Sequence, residues 1–386
     1  MKPWAILCLC ALLSACASLA TVPRADTVLN DNLFKPASVR INAADVFALS
    51  EEMVHYADND IARLIRTKGA TSALVDALYN KQQLRLEYES AMTRNASEAF
   101  ASRTGNCLSL VIMTAAFAKK MGVNVEFQSV YVEETWSRKG NINFLSGHVN
   151  LALSRSATDS RIGAIGDPPL IIDFLPPDDA LGYRRKAIAE STIVGMYMNN
   201  RAAESLAYGK VDDAYWWARE AVRQAPTFLG AYNTLGVIYQ THGNLNEADR
   251  VFSMILEREP DNVAALANQS KLLRQLGRDD EAKILSARLT RIEPYPPFYF
   301  FDRGINAMRE GNFQTAKEMF SREVSRAAYY HEFQFWLGIA DLRLGDMKEA
   351  RKHLTIALEN GPTIADRDLY SAKLEQMKAY KGFRQN

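Results

Sequence analysis

From residue 195 onward the chain repeats itself every 34 residues, five times, without insertion or deletion. Ala214, Ala248, Ala282, Ala316 and Ala350 share one phase, and Gly209, Gly243, Gly277, Gly311 and Gly345 stand five residues before them. Pro226, Pro260, Pro294 and Pro362 hold a third phase, with Ala328 interrupting the series. A fixed period of this length means a unit that cannot bury its own apolar face and must stack on its neighbours. Glycine ends a first helix and lets the chain turn. Alanine admits close approach of a second helix, and proline stops that helix before the next unit. Residues 195–386 are thus expected to be an all-α solenoid of helix pairs, with the amphipathic stretch 366–380 as its capping helix.

In the second unit the first helix carries Tyr232, Leu235, Gly236 and Tyr239. With these residues and this period the repeat resembles the tetratricopeptide repeat. The resemblance implies a concave face that holds a peptide or protein. The first unit departs from the pattern at Arg201 and Ala202, and the third at Gln269 and Ser270. Aromatic clusters at 295–301 and 329–336 are read as filling helix-pair interfaces, with a binding surface as the alternative.

The N-terminus has Lys2, ten apolar residues over 4–13 and then Leu13-Ser14-Ala15-Cys16. That is a secretory signal, too short to span a bilayer. Its ending resembles the bacterial lipoprotein processing site. The resemblance implies cleavage before Cys16 and lipid on the Cys16 sulfur. With Ala17 next rather than aspartate, it places the chain on the periplasmic face of an outer membrane. The expected organisation is a signal at 1–15, a lipidated N-terminus and linker at 16–38, a second domain at 39–190 and the repeats. Cys8 and Cys10 leave with the signal and Cys16 is acylated, so Cys107 is the one thiol left and no intrachain disulfide is possible.

Cys107 opens an apolar helix. Asn106 is a natural N-cap, Gly122 a natural terminator, and Lys119 and Lys120 suit the last turn. The helix is apolar nearly all round and should be central and buried. A helical pattern over 39–98 precedes it, and strand-like runs at 125–132, 148–153 and 170–174 follow. A first-turn thiol feels the positive helix end, which favours thiolate. His148 opens a strand as a candidate base, and Asp173 sits in an apolar strand where a carboxylate needs a partner. Cysteine as nucleophile, histidine as base and aspartate as orienter follow triad logic. Asn150 is a rival orienter, two residues from His148 on the same face; Asp173 is preferred because a carboxylate also stabilises the imidazolium. The bland alternative is a small buried thiol that only packs.

Other chemistries find little support. A net charge of +1 argues against nucleic acid as main partner. No Walker lysine or dinucleotide glycine fingerprint occurs. His55, His148, His242, His331 and His353 are scattered, so no metal site and no cofactor are expected. Arg184-Arg185-Lys186 reads as a solvated linker.

Over residues 80–180 the chain resembles the transglutaminase-like superfamily of papain-type folds. The matching pieces are Arg103-x-Gly105-x-Cys107, the helix end at 115–122, the strand at 123–132, Gly147-His148-Val149 and Asp173. The resemblance implies an α+β domain, with a buried cysteine helix against antiparallel strands, and catalytic roles for Cys107, His148 and Asp173. The Cys107 amide and, as a candidate, the Gln128 side chain would bind the oxyanion. Leu108 stands where animal transglutaminases place tryptophan, which favours hydrolysis over cross-linking. The segment 133–146, with Trp136 and Phe144, is expected as a loop that covers the site. The expected protein is an outer-membrane-anchored cysteine peptidase or amidase working through a thioester, its solenoid binding a protein substrate or partner. The alternative is a non-catalytic lipid-anchored adaptor with a degenerate domain. Acyl transfer to an amine and peptidoglycan amidase activity are further options.

Overall fold

The computed structural model describes residues 25–79, 86–88, 92–139, 142–154, 169–174, 184–328, 330–361 and 363–383. The signal, Cys16 and Ala17 lie outside them. Ser50 accepts from the Met53 amide and starts α1 (Glu51–Tyr56), which runs through a π-turn at Ala57–Ile61 into α2 (Ala62–Lys68). Gly69 ends it at φ +78°, and α3 (Ala70–Tyr79) follows. Two-residue strands β1 (Glu87–Tyr88) and β2 (Thr104–Gly105) pair in parallel around α4 (Ala96–Ser102).

The Cys107 helix, α5 (Cys107–Lys120), is the centre of this domain: every side chain from Leu108 to Ala118 is buried. The strands β3 (Asn124–Lys139), β4 (Ile142–Ser154), β5 (Leu170–Ile172) and β6 (Arg184–Ile188) form one sheet in the order β5-β4-β3-β6. All its pairings are antiparallel. Phe127, Val149, Leu151, Leu153 and Ile172 share a core with α5.

Two sequence expectations are corrected here. The segment 133–146 is not a loop but the outer arm of the β3–β4 hairpin, beyond a register shift between Val130 and Thr135. Arg184-Arg185-Lys186 is not a linker: it belongs to β6, with Arg185 opposite Val130 and Lys186 opposite Ser129. Exposed charge is what an edge strand needs to refuse further pairing.

The solenoid begins at Glu190 with α6 (Glu190–Ala207) and α7 (Val211–Gln224). The pairs α8 (Leu229–His242) with α9 (Leu245–Arg258), and α10 (Val263–Gln275) with α11 (Asp279–Ile292), continue it. Then come α12 (Tyr299–Arg309) with α13 (Phe313–Arg326), and α14 (His331–Leu344) with α15 (Met347–Glu359). The expected cap is α16 (Ile364–Phe383). All five phase glycines sit at positive φ, from +74° to +93°, and all five phase alanines are fully buried. Of the aromatic clusters, Phe298, Phe300, Phe301, Phe333 and Phe335 fill interfaces, whereas Tyr295 is exposed.

The stack is not uniform. One apolar core runs from the N-terminal domain through Leu272, and the next begins at Phe298. Between them lies α11, whose single buried side chain is Ala282, with Ile284 68% exposed. On the α10 side, Ser270 Oγ meets Ser286 Oγ at 2.6 Å, and Gln269 donates to Asp249 and Ser253. Polar pairs thus replace the packing that large apolar residues give elsewhere.

The stretch before residue 39, expected as a linker, instead lies against α7 and α8. The Phe34 ring stacks on Tyr215 at 3.9 Å. Asp31 accepts from Tyr215 Oη at 2.6 Å and from Arg219 Nε at 2.9 Å. Tyr239 Oη donates to the Val28 carbonyl at 2.9 Å, and Ser38 donates to Asp213 through both its amide and its hydroxyl.

Candidate active site

Three elements bring the site together: the start of α5, the middle of β4 and the residue after β5. His148 and Asn150 alternate on β4 with Val149 and Leu151, so they project from the opposite side of the strand to those core residues. Both are buried, at 5% and 0% exposure. His148 Nε2 meets Asp173 Oδ1 at 2.6 Å, and Asn150 Nδ2 donates to Asp173 Oδ2 at 2.8 Å. Asn150 is therefore no rival to Asp173: it holds the second carboxylate oxygen and fixes which way the first one faces.

The half-buried Cys107 is the other hydrogen-bond partner of His148. With Nε2 given to Asp173, Nδ1 is the ring nitrogen left for the sulfur. Burial alone pulls the imidazole below its ordinary 6.5. The hydrogen bonds to Asp173 and Cys107, with their charges, outweigh it and raise His148 to about 9. At neutral pH the ring is an imidazolium between a carboxylate and a sulfur.

Asn106 caps α5 as its sequence suggested, its Oδ1 accepting from the Ser109 amide at 2.9 Å. Its Nδ2 donates to Thr93 Oγ1 at 2.9 Å. Ser109 Oγ donates to the cap and accepts from the Arg94 amide at 2.8 Å. Gly105 is required by space: a Cβ there would lie 2.8 Å from Ser109 Cβ. Gln128 stands opposite Asn150 in the register, but its Nε2 donates to Glu126 at 2.8 Å. One of its two N–H donors is thus already engaged. The Cys107 amide is better placed for an oxyanion, because it lies in the first turn of α5, at the positive end of the helix.

Sequence reasoning passed over Thr93, Asn200 and Glu204, all of which reach the α5 cap region. The one available signal was Arg201, polar where the repeat calls for a large residue.

Among the described residues no group of three or more side chains could hold a metal ion, and no helix is long and apolar enough to cross a membrane. A family model for the tetratricopeptide repeat matches residues 301–363. A thermophilic tetratricopeptide protein of Thermus thermophilus aligns at 19% identity, over 47% of this chain and 98% of its own, with a TM-score of 0.30. Pseudomonas aeruginosa pilF aligns at 18% over 49% and 89%, with a TM-score of 0.29. MamA from Desulfovibrio magneticus RS-1 aligns at 17% over 45% and 97%, with a TM-score of 0.26. No curated protein matches the chain.

Proposed function

We propose that this chain, whose C-terminal half is a tetratricopeptide solenoid, is a cysteine hydrolase that cleaves an amide through Cys107. One observation carries the reading: the His148 ring is bonded at once to Asp173 and to Cys107. The thiolate adds to the amide carbon, and the oxyanion takes the Cys107 N–H. The imidazolium gives its proton to the leaving nitrogen, the C–N bond breaks and a thioester remains. Water then attacks with His148 as base, releasing the carboxylate and restoring the sulfur. Asp173 keeps the ring oriented and its charge compensated throughout, and Asn150 keeps Asp173 oriented.

A tetratricopeptide solenoid is an interaction scaffold, so the substrate or a regulator is a protein or peptide held by the repeats. Hydrolysis is favoured over acyl transfer because nothing among the described residues of the site selects an amine as second substrate. Iodoacetamide alkylation of Cys107 in the mature chain is expected to keep a plateau well below pH 7. In His148→Ala the rate should rise only near the ordinary thiol value of about 8.5. A wild-type profile already resembling that of His148→Ala would leave an adaptor as the better reading.

The N-terminal signature supports lipid on Cys16 and residence on the periplasmic face of an outer membrane. Cys16→Ser is expected to shift the chain from the membrane pellet to the soluble periplasmic fraction. Unchanged pelleting would remove the anchor from the account.

A further inference from the structure

The first solenoid helix lies along the Cys107 helix and is bonded to both of its ends. At the C-terminal end of α5, Lys119 pairs with Glu190, the first residue of α6. At the N-terminal end the connection runs through one buried residue, Thr93, which is 1% exposed. Its amide donates to Glu204 Oε1 at 2.7 Å, and its carbonyl accepts from Arg201 Nη1 at 3.1 Å. Its hydroxyl oxygen accepts from Asn200 Nδ2 at 3.2 Å on the solenoid side and from Asn106 Nδ2 at 2.9 Å on the other. Asn106 is the N-cap of α5 and the residue before the thiol. Every polar atom of Thr93 is thus used, with three of these four bonds going to α6.

At the phase of Arg201 the second and fifth units carry Leu235 and Leu337, the third Gln269 and the fourth Arg303. Here the guanidinium lies over the Trp217 ring at 5.5 Å and reaches Thr93, while pairing with Glu204 at 3.5 Å. Both side chains are half-buried, where a charged group needs partners, and their bonds to the Thr93 carbonyl and amide hold the segment that precedes α4.

We propose that Asn200, Arg201 and Glu204 of the solenoid are positioning residues for Cys107, acting through Thr93 and the Asn106 cap, so that strain in the first repeat changes the reactivity of the thiol. The inference rests on reading Cys107 as the nucleophile. Thr93 touches no reacting atom; it fixes the cap, the cap fixes the first turn, and the first turn places the sulfur against His148.

The test is the alkylation profile of Cys107 in the full mature chain carrying Thr93→Val, a near-isosteric change that removes only the bridging oxygen. At pH 10 a thiol is ionised without help, so the iodoacetamide rate should stay near wild type. At pH 6 reactivity depends on the sulfur sitting correctly against the imidazolium and the helix end, and the rate should fall about tenfold. General loosening would instead expose the thiol and raise the pH 10 rate. Thr93→Ser, which keeps the oxygen, should restore the pH 6 rate. A wild-type profile in Thr93→Val overturns the proposal. If Thr93→Val does not fold, Asn200→Ala, on the half-buried solenoid side, serves in its place. A fall of about threefold at pH 6 supports the bridge, and no change overturns it. Should the wild type itself react as an ordinary thiol, the nucleophile reading has failed; if only the variants match wild type, the coupling has failed and the nucleophile stands.

Discussion

Asp173→Ala is expected to slow acylation of Cys107 by an activated ester such as p-nitrophenyl acetate by about 10²–10³-fold, as misorientation of a catalytic histidine does elsewhere. Its second effect is on folding. With Asp173 and Cys107 as partners, His148 titrates at about 9 rather than 6.5. A raised imidazole value stabilises the fold fully below pH 6.5 and loses that contribution as pH rises through 9. The difference amounts to roughly 3 kcal/mol. The wild-type urea midpoint should therefore exceed that of Asp173→Ala by more at pH 7 than at pH 9.5, where the ring has lost its proton in both. An equal gap at both pH values would mean that Asp173 does not hold the proton on His148. An unchanged ester rate would remove it from the mechanism.

Gly195→Val should be the most damaging glycine substitution in the solenoid. A Cβ at Gly195 would lie 2.4 Å from Ala225 Cβ and 3.2 Å from the Ala221 carbonyl oxygen. Neither neighbour can turn aside, so α6 must move off α7. The cost should be about 3 kcal/mol, at the upper end of the overpacking range, read as a lower urea midpoint. Gly236 makes the instructive contrast: its obstruction is the Phe252 ring at 2.5 Å, a side chain that can swing. Gly243 differs again, with open space around it but φ at +93°. Gly243→Ala should cost only about 1–2 kcal/mol of backbone strain. If Gly195→Val melts like Gly243→Ala, the α6–α7 contact is looser than the packing indicates.

The parts of this molecule that were legible in the sequence are those that repeat or that must be buried in a row. The phase glycines announced their positive φ, the phase alanines their contacts, and the run from Leu108 to Ala118 its place in the core. His148 and Asp173 were legible as chemistry because an acid in an apolar strand needs a counterpart. What escaped was written in single residues without period. Arg184 to Lys186 reads as solvated because an edge strand carries its charge outward. Residues 28–38 read as a linker because their docking depends on isolated groups such as Asp31 and Phe34, whose partners lie far along the chain at Tyr215 and Arg219. Thr93 carries no local signature at all, since a threonine becomes a bridge only through what the fold brings to it. The 34-residue period also runs unbroken through α11 although the packing does not, because the period is set by the turn glycines and contact alanines and not by the apolar side chains.

That interruption decides how far news can travel. In stacked repeats each unit acts on the next only through their shared interface. The repeats up to α10 are continuous in their core with the cysteine domain, whereas α12 to α16 are built around cores of their own. A protein gripping α6 to α10 would lean on the same core that holds Cys107; one gripping α12 to α16 would act on it only across the thinly packed α11. The same cargo moved a single repeat along the solenoid would change from an effector into a passenger, and a hydrogen-exchange footprint of the bound partner would tell which of the two it is.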